Sequence, residues 1–438
     1  MYVSFDDTDS TEGLCTTYLA TEIIRKTNLD IIGYPRLVRL NPAVPWKTRG
    51  NGSLSLRLGN GSGSKKQIGE IDGEKIFCYS KQTSIEPDVN ELMKNIIPIV
   101  NKNRKDSSDS GIVLSKTKPS QSFYWKGVRS IVEKQDIVNE LNRINATYQE
   151  FGNGRGIIGS TCGMAWRPKD STYELISYRP KDRWGTKRIF DSKSIGCMNT
   201  AFPSTFNSWE NRFHKVSMVP GTPCPVMYGL RGECSEDLTK ASEMIDSEPL
   251  ERKMIFLTNQ GTDDHIIYDF KTLVPMSSYY IEGSVVSQRH LTGGHFVLEL
   301  KTKYGLLECT VYEPAKEFRT TVGWLVPGDL IGVMGELRTE PRTINIEKIK
   351  VIRTVKELVK ISNPICGSCE RTMESIGKGK GYRCRDCSTF SKVPVIKENT
   401  RWIVPGWYEP PTSSRRHLSK PLKRMNEEQP VDFVNSRI

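Results

Sequence analysis

Apolar positions sort the chain into segments of different periodicity. Residues 2–5 read as a short strand that runs into an acidic turn. Leu19, Ala20, Ile23 and Ile24 then recur at helical spacing, so the opening unit is predicted to be strand, Asp-rich loop, helix. Residues 37–40 and the alternating Ser53-Leu54-Ser55-Leu56-Arg57 read as further strands, joined by a Gly/Pro/basic loop over 41–52. A Gly/Ser-rich stretch at 59–64 marks a turn or small insertion, and a polar stretch at 102–110 marks a soft boundary. Mixed strand and helix patterns over 111–235, with a Gly-rich segment at 152–163 and a Pro/Gly-rich one at 221–232, predict an α+β domain. Five strand-like runs follow at 279–286, 296–300, 306–312, 330–334 and 344–352, most of them separated by Gly or Pro. Such spacing predicts a small closed barrel of the OB type, another all-β module being the alternative. No internal repeat is visible.

The chain has 438 residues, which at about 100–200 residues per domain implies several domains. Hydrophobic residues make up 37% and charged residues 26%, enough apolar material for packed cores. The net charge of +12 favours a polyanionic partner such as nucleic acid over a merely lysine-rich surface only when other features agree. No apolar run approaches the ~18 residues of a membrane span, so no membrane partner is expected. The N-terminus does not read as a secretory signal, and eleven cysteines of which seven are scattered suit a reducing cytoplasm.

Chemistry concentrates first in the acidic turn. Asp6, Asp7 and Asp9 fall within four residues after a strand. Carboxylates there are hard oxygen donors that can hold Mg²⁺ against the phosphates of a nucleotide. Thr16 and Thr17 fall at the start of the next helix, where free N–H groups favour an anion and a hydroxyl can touch or accept a phosphoryl group. The alternative is a polar turn in which Asp9 or Ser10 caps the helix. Lys47, Arg49, Gly50, Asn51 and Gly52 form a basic, glycine-flanked loop in which backbone N–H groups and cations can approach phosphates. Arg155 and Arg231, each read as sitting in a Gly-flanked turn, are candidates for phosphate or RNA contact.

Cys366, Cys369, Cys384 and Cys387 form two CxxC knuckles with a spacer suited to a closed, structural Cys₄ zinc site; iron is the rival metal. Lys378, Lys380, Tyr382 and Arg383 interleave positive charge with an aromatic ring, a pattern suited to RNA backbone contact and base stacking. The segment 401–424 carries six Lys/Arg, Arg415 and Arg416 among them, against the single acid Glu409. With its prolines it is expected to be extended and to order on RNA, so removing 356–438 is expected to weaken RNA binding and spare the nucleotide site.

Asp6-Asp7-Thr8-Asp9-Ser10 followed by Gly13-Leu14-Cys15-Thr16-Thr17-Tyr18-Leu19-Ala20 resembles the opening of the archaeal tRNA-isoleucine 2-agmatinylcytidine synthetase (TiaS) family. The resemblance continues through Gly33-Tyr34-Pro35-Arg36-Leu37-Val38-Arg39-Leu40, Pro45-Trp46-Lys47-Thr48-Arg49-Gly50-Asn51-Gly52, Gly154-Arg155-Gly156, Tyr228-Gly229-Leu230-Arg231-Gly232-Glu233 and the cysteine module. It matches least well at 60–150 and at the end of the chain. The resemblance implies a multidomain α+β protein: a kinase-like ATP-binding domain at 1–110, a ferredoxin-like domain at 111–235, a linker region at 236–276, an OB-fold RNA-binding domain at 277–355, a zinc ribbon at 356–398 and a basic Pro-rich tail at 399–438. It implies that ATP, with Mg²⁺, activates carbon 2 of the wobble cytidine by phosphorylation and that agmatine displaces the phosphate, with release of AMP and phosphate. The partner would be an isoleucine tRNA with a CAU anticodon, whose codon reading changes from AUG to AUA. Asp6, Asp7 and Asp9 match the family's metal and ATP positions, and Thr16 matches a threonine the family phosphorylates on itself. Acids for agmatine could include Glu233, Asp263 or Asp264, each also a candidate for a structural ion pair. The rival readings are an RNA kinase of another substrate and a non-catalytic RNA-binding protein.

Overall fold

The structure is a computed structural model, and it describes residues 1–9, 15–47, 50–104, 108–211 and 213–425. Its described residues fall into two compact units. The first is built from 1–281, 333–348 and 409–425, and the second from 282–332 and 349–408.

A twelve-stranded sheet organises the first unit. The strand Tyr2–Asp6 lies between two antiparallel neighbours, Gly52–Gly59 and Gly111–Ser115, with Val3 opposite Leu56 on one side and Leu114 on the other. Successive side chains on a strand point to opposite faces, so a strand covered on both faces is apolar throughout. Gly111–Ser115 shows this directly. Ile112 and Leu114 join the core shared with Phe5, Leu19 and Ile23 of the helix Thr16–Lys26, whereas Val113 joins a second core with Tyr124, Ile137, Leu141 and Ile157. The polar stretch 102–110 therefore separates a helix, Val89–Asn103, from a strand of the same sheet. The region 236–276, expected as a linker, instead supplies the helix Ser235–Glu243 and the strand Arg252–Thr258, which pairs with Thr172–Tyr178 and with Gly61–Ile71. The consecutive apolar residues Met254, Ile255 and Phe256 are those of a central strand, buried on both faces. The Gly/Ser stretch 59–64 likewise enters a strand, because Gly61 lies where a side chain would meet the ring of Tyr79 at 2.4 Å.

The Gly-rich segment forms the helix Gly156–Ala165, pressed onto the sheet. A β-carbon on Gly156 would stand 2.1 Å from the Gly111 nitrogen, and one on Gly163 2.6 Å from the Ser53 hydroxyl. Small residues are therefore what let helix and sheet approach this closely.

The five barrel strands expected from the sequence are present as Ser277–Leu291, His295–Thr302, Gly305–Val311, Leu330–Leu337 and Ile344–Arg353, joined by the short strand Ile266–Ile267 and closed by pairing of the first with the fourth. In the second unit, short strands carry the cysteine knuckles, and the four thiol sulfurs lie within 4.8 Å of one another.

The tail is not an extended arm. Gly406–Tyr408 pairs with Ile349–Val351, and Arg401 holds Asp329 with both guanidinium nitrogens. In the first unit, Arg415 pairs with Glu409 at 2.8 Å, Arg416 with Glu336 and Glu347, and Lys420 and Arg424 with Asp170 at 2.9 and 2.8 Å. Carboxylates contributed largely by distant segments fix these cations, and Leu418 is buried beside them. Residues 426–438 lie outside the described residues.

Candidate active site

The first strand ends at Asp6, and Asp7 turns the chain through a left-handed conformation, φ 55°. The Asp6 carboxylate accepts the Asp7 N–H at 2.7 Å and is half-buried. Burial, and then the charges of Asp7 and Asp9, push its pKa up to about 8. Burial followed by the charge of Asp109 also raises Asp7. Asp9 behaves differently. It accepts both the N–H and the hydroxyl of Thr16, the latter at 2.6 Å, and so tethers the loop to the first turn of the helix. Thr8 donates to the same Thr16 oxygen at 3.1 Å. The capping expected of the alternative reading is thus real for Asp9. Ser10, Gly13 and Leu14 lie outside the described residues.

The acids face a cleft of about 670 Å³ within the first unit. That volume lies within the ~300–1,000 Å³ of small-ligand sites. Across it stands the basic loop. Lys47, Gly50, Asn51 and Gly52 all line the cleft, while Thr48 and Arg49 lie outside the described residues. Arg39 props this loop by donating to the Gly50 carbonyl at 2.9 Å. Asn51 anchors it through a bond to the Asn41 carbonyl at 2.9 Å. Burial, and then Arg416, lower the pKa of Lys47. Arg155 reaches the cleft from the start of the Gly-rich helix, its guanidinium 4.7 Å from the Trp46 ring. Arg231 sits on the strand Val226–Gly232 rather than in a turn. It holds Glu174 at 3.0 Å and donates to Nδ1 of His417 at 3.0 Å. Arg39, burial and Arg231 keep His417 well below the usual histidine range, so it stays neutral.

The cleft therefore juxtaposes the N-terminus of a helix, half-buried carboxylates and the cationic side chains Arg39, Lys47, Lys134, Arg155 and Arg231. Such a site can grip a polyphosphate from one side and a divalent ion from the other. Several contributors were not apparent from the sequence. Asp109 hid in the polar stretch read as a boundary, and His417 in the tail. Arg39 and Glu174 carried no signal beyond their strands. Conversely, Arg415 and Arg416, singled out for RNA, are engaged by internal carboxylates. Glu233 pairs with Arg424, Asp263 with Lys348, and Asp264 accepts the Tyr124 hydroxyl at 2.5 Å, so each is tied into the fold and none lines the cleft.

The cysteine module brings Cys366, Cys369, Cys384 and Cys387 together, with Cys369 3.2–3.5 Å from each of the other three sulfurs. Among the described residues it is the only set that gathers three or more potential metal-binding side chains within 4.8 Å. Lys378, Lys380 and Arg383 are exposed around it, and Lys360 lies 4.6 Å over the Tyr382 ring. No helix among the described residues is long and apolar enough to cross a membrane.

Comparison with known proteins covers the same ground. Family models match at residues 2–153 (TiaS TCKD domain), 154–265 (TiaS FLD domain) and 363–403 (TiaS C-terminal zinc ribbon domain). The tRNA-isoleucine 2-agmatinylcytidine synthetase TiaS of Archaeoglobus fulgidus is 36% identical over 98% of both chains. A solved complex of TiaS with its isoleucine tRNA and ATP matches at 35% identity and a TM-score of 0.85, covering 98% of each chain. A complex of TiaS with the same tRNA, AMPCPP and agmatine matches at 33% and 0.82 over 98% of each chain.

Proposed function

The chain belongs to the tRNA-isoleucine 2-agmatinylcytidine synthetase (TiaS) family, and from that premise we propose that it joins agmatine to carbon 2 of the wobble cytidine of an isoleucine tRNA at the expense of ATP. The observation that carries this reading is the cleft, where the acids after the first strand meet the helix N-terminus and the basic loop. The oxygen on carbon 2 of cytosine is a poor leaving group. Phosphorylating it lets the amine of agmatine displace phosphate, so the site must position phosphates and exclude water.

We assign Asp6 and Asp7 to the metal-bearing side of the triphosphate, and Asp9 with Thr16 to the loop and helix terminus that face it. Lys47, Gly50, Asn51 and Gly52, together with Arg49, are assigned to the opposite phosphate contacts. Arg155 and Arg231 are assigned to phosphate or RNA at the rim. Mg²⁺, once bound, supplies charge neutralisation at the phosphate oxygens. Half-buried carboxylates with raised pKa values fit that ion, since its charge would restore their ionised form. The four thiol donors fit Zn²⁺, which favours tetrahedral sulfur ligation at ~2.3 Å and here has a structural role. Lys378, Lys380, Tyr382 and Arg383 on that ribbon are assigned to the tRNA.

At the level of domains, we read the family-matched region 2–153 as kinase-like and 154–265 as ferredoxin-like. The barrel, with its short helix Glu317–Gly323 before the fourth strand, is read as an OB-fold. A tRNA partner and eleven cysteines with no disulfide among them favour the cytoplasm. The decisive experiment incubates the protein with Mg-ATP, radiolabelled agmatine and an isoleucine tRNA transcript bearing CAU. Label should appear in the wobble nucleoside. Phosphate transfer that persists without agmatine and never gives an adduct would favour an RNA kinase instead.

A further inference from the structure

A second cavity, of about 300 Å³, opens elsewhere in the first unit and shares no lining residue with the acid-lined cleft. Tyr2, Arg36, Ser55, Arg57 and Ser80 are among the residues that line it. A water occupies about 30 Å³ of liquid, so the space suffices for a tetrahedral oxyanion and part of its hydration. Arg36 and Arg57 reach it from neighbouring strands. Lys118 and Arg167 stand close enough to act on them electrostatically.

Among the described residues this group of cations is uncompensated. None of Arg36, Arg57, Lys118 and Arg167 pairs with a carboxylate among the described residues. Arg36 and Lys118 instead both donate to the Trp166 carbonyl at 2.9 Å, and Arg167 donates to the carbonyls of Pro119 and Ala165 at 3.1 Å. Arg57 and Lys118 rest over the Tyr2 ring at 5.5 and 5.4 Å. The nearby acid, Glu86, acts on the Met1 amine. Burial and then the neighbouring arginines bring the Lys118 pKa down to about 7. A fold does not gather like charges around a cavity without cost, and an anion seated there would remove that cost.

We propose that this cavity is a second anion site, which takes a phosphate group through Arg36 and Arg57, with the Ser55 and Ser80 hydroxyls on its wall and Lys118 adding positive charge beside it. The phosphate can come from an RNA backbone or from a free oxyanion such as the phosphate that ATP consumption releases.

The test follows thermal unfolding in low-chloride buffer, with the acid-lined cleft saturated by a non-hydrolysable ATP analogue and inorganic phosphate titrated in. Phosphate should raise the Tm of the wild type in a dose-dependent way, since a ligand specific to the native state stabilises it. The R57Q/K118Q variant should lose that response. Without phosphate and at low salt it should melt no lower than wild type, because repulsion has been relieved. An equal phosphate response in both proteins, or none in the wild type, overturns the proposal. The source is read from tRNA affinity against salt. A slope shallower by about one to two charges in the variant assigns the site to an RNA backbone phosphate, and an unchanged slope with a lost phosphate response assigns it to the free anion.

Discussion

Ionising Asp6 is costly because partial burial and then two neighbouring acids disfavour its charge. Its folded pKa is about 8 against an ordinary value of 3.8, so the folded chain holds a proton that the unfolded chain releases. The sign follows from that difference. Stability is not reduced below the unfolded pKa, and it falls as pH rises from about 4 to about 8. Asp6→Asn keeps the shape and removes the ionisation. It should raise Tm relative to wild type at pH 8, leave it nearly unchanged at pH 4, and abolish ATP consumption. A variant with no pH-dependent gain would mean that Asp6 is already ionised in the wild type. Gly159 stands behind this carboxylate, and a β-carbon there would sit 1.6 Å from an Asp6 oxygen. Gly159→Ala must therefore displace either Asp6 or the helix, at about 1–3 kcal/mol of overpacking. ATP turnover should fall at least tenfold, about 1.4 kcal/mol of transition-state stabilisation, while tRNA affinity holds. Unchanged turnover in a folded Gly159→Ala protein would show that the Asp6 position is not critical.

At the scale of elements, legibility followed the strength of local pattern. The opening strand and helix, the five barrel strands and the cysteine knuckles all have short-range signatures, and all are present. What could not be read was set by long-range pairing. Arg252–Thr258 looks like any apolar run, and only its partners, at 172–178 and near residue 70, make it a central strand. The Gly-rich helix is similar, because its glycines read as a turn until the strand they touch is known. The cysteine module is the contrasting case of an element with few apolar contacts and a four-thiol cluster at its centre. Such a module should depend on its metal. Cys384→Ser, or a strong zinc chelator, should unfold the ribbon, lower tRNA affinity and reduce the salt dependence of binding, yet leave ATP-analogue affinity intact. Unchanged tRNA affinity would remove the ribbon from the RNA-binding surface.

At the scale of the whole molecule, the first unit is closed by the end of the described chain. Segment 409–425 returns to the first unit after the chain has left it for the second. It does so through the backbone, where Gly261 and Asp263 donate to the carbonyls of His417 and Leu418 at 2.9 and 2.8 Å. Buried charge completes the join, since Lys348 pairs with Asp263 and also donates to the Lys420 carbonyl at 2.8 Å. His417 then projects into the cleft beside Arg39 and Arg231. The composition of the tail, basic and proline-rich, gave no hint of this, because its partner carboxylates Asp170, Glu336 and Glu347 lie far away in sequence. The consequence is that removing the C-terminus should not spare the proposed nucleotide cleft. A chain ending at residue 408 keeps the cysteine module and should still take up zinc. It should nevertheless lose ATP-analogue binding and melt well below the full chain, the reverse of the Cys384→Ser phenotype. If the truncated chain binds the analogue as tightly as the full chain, His417 and the segment around it have no part in the cleft.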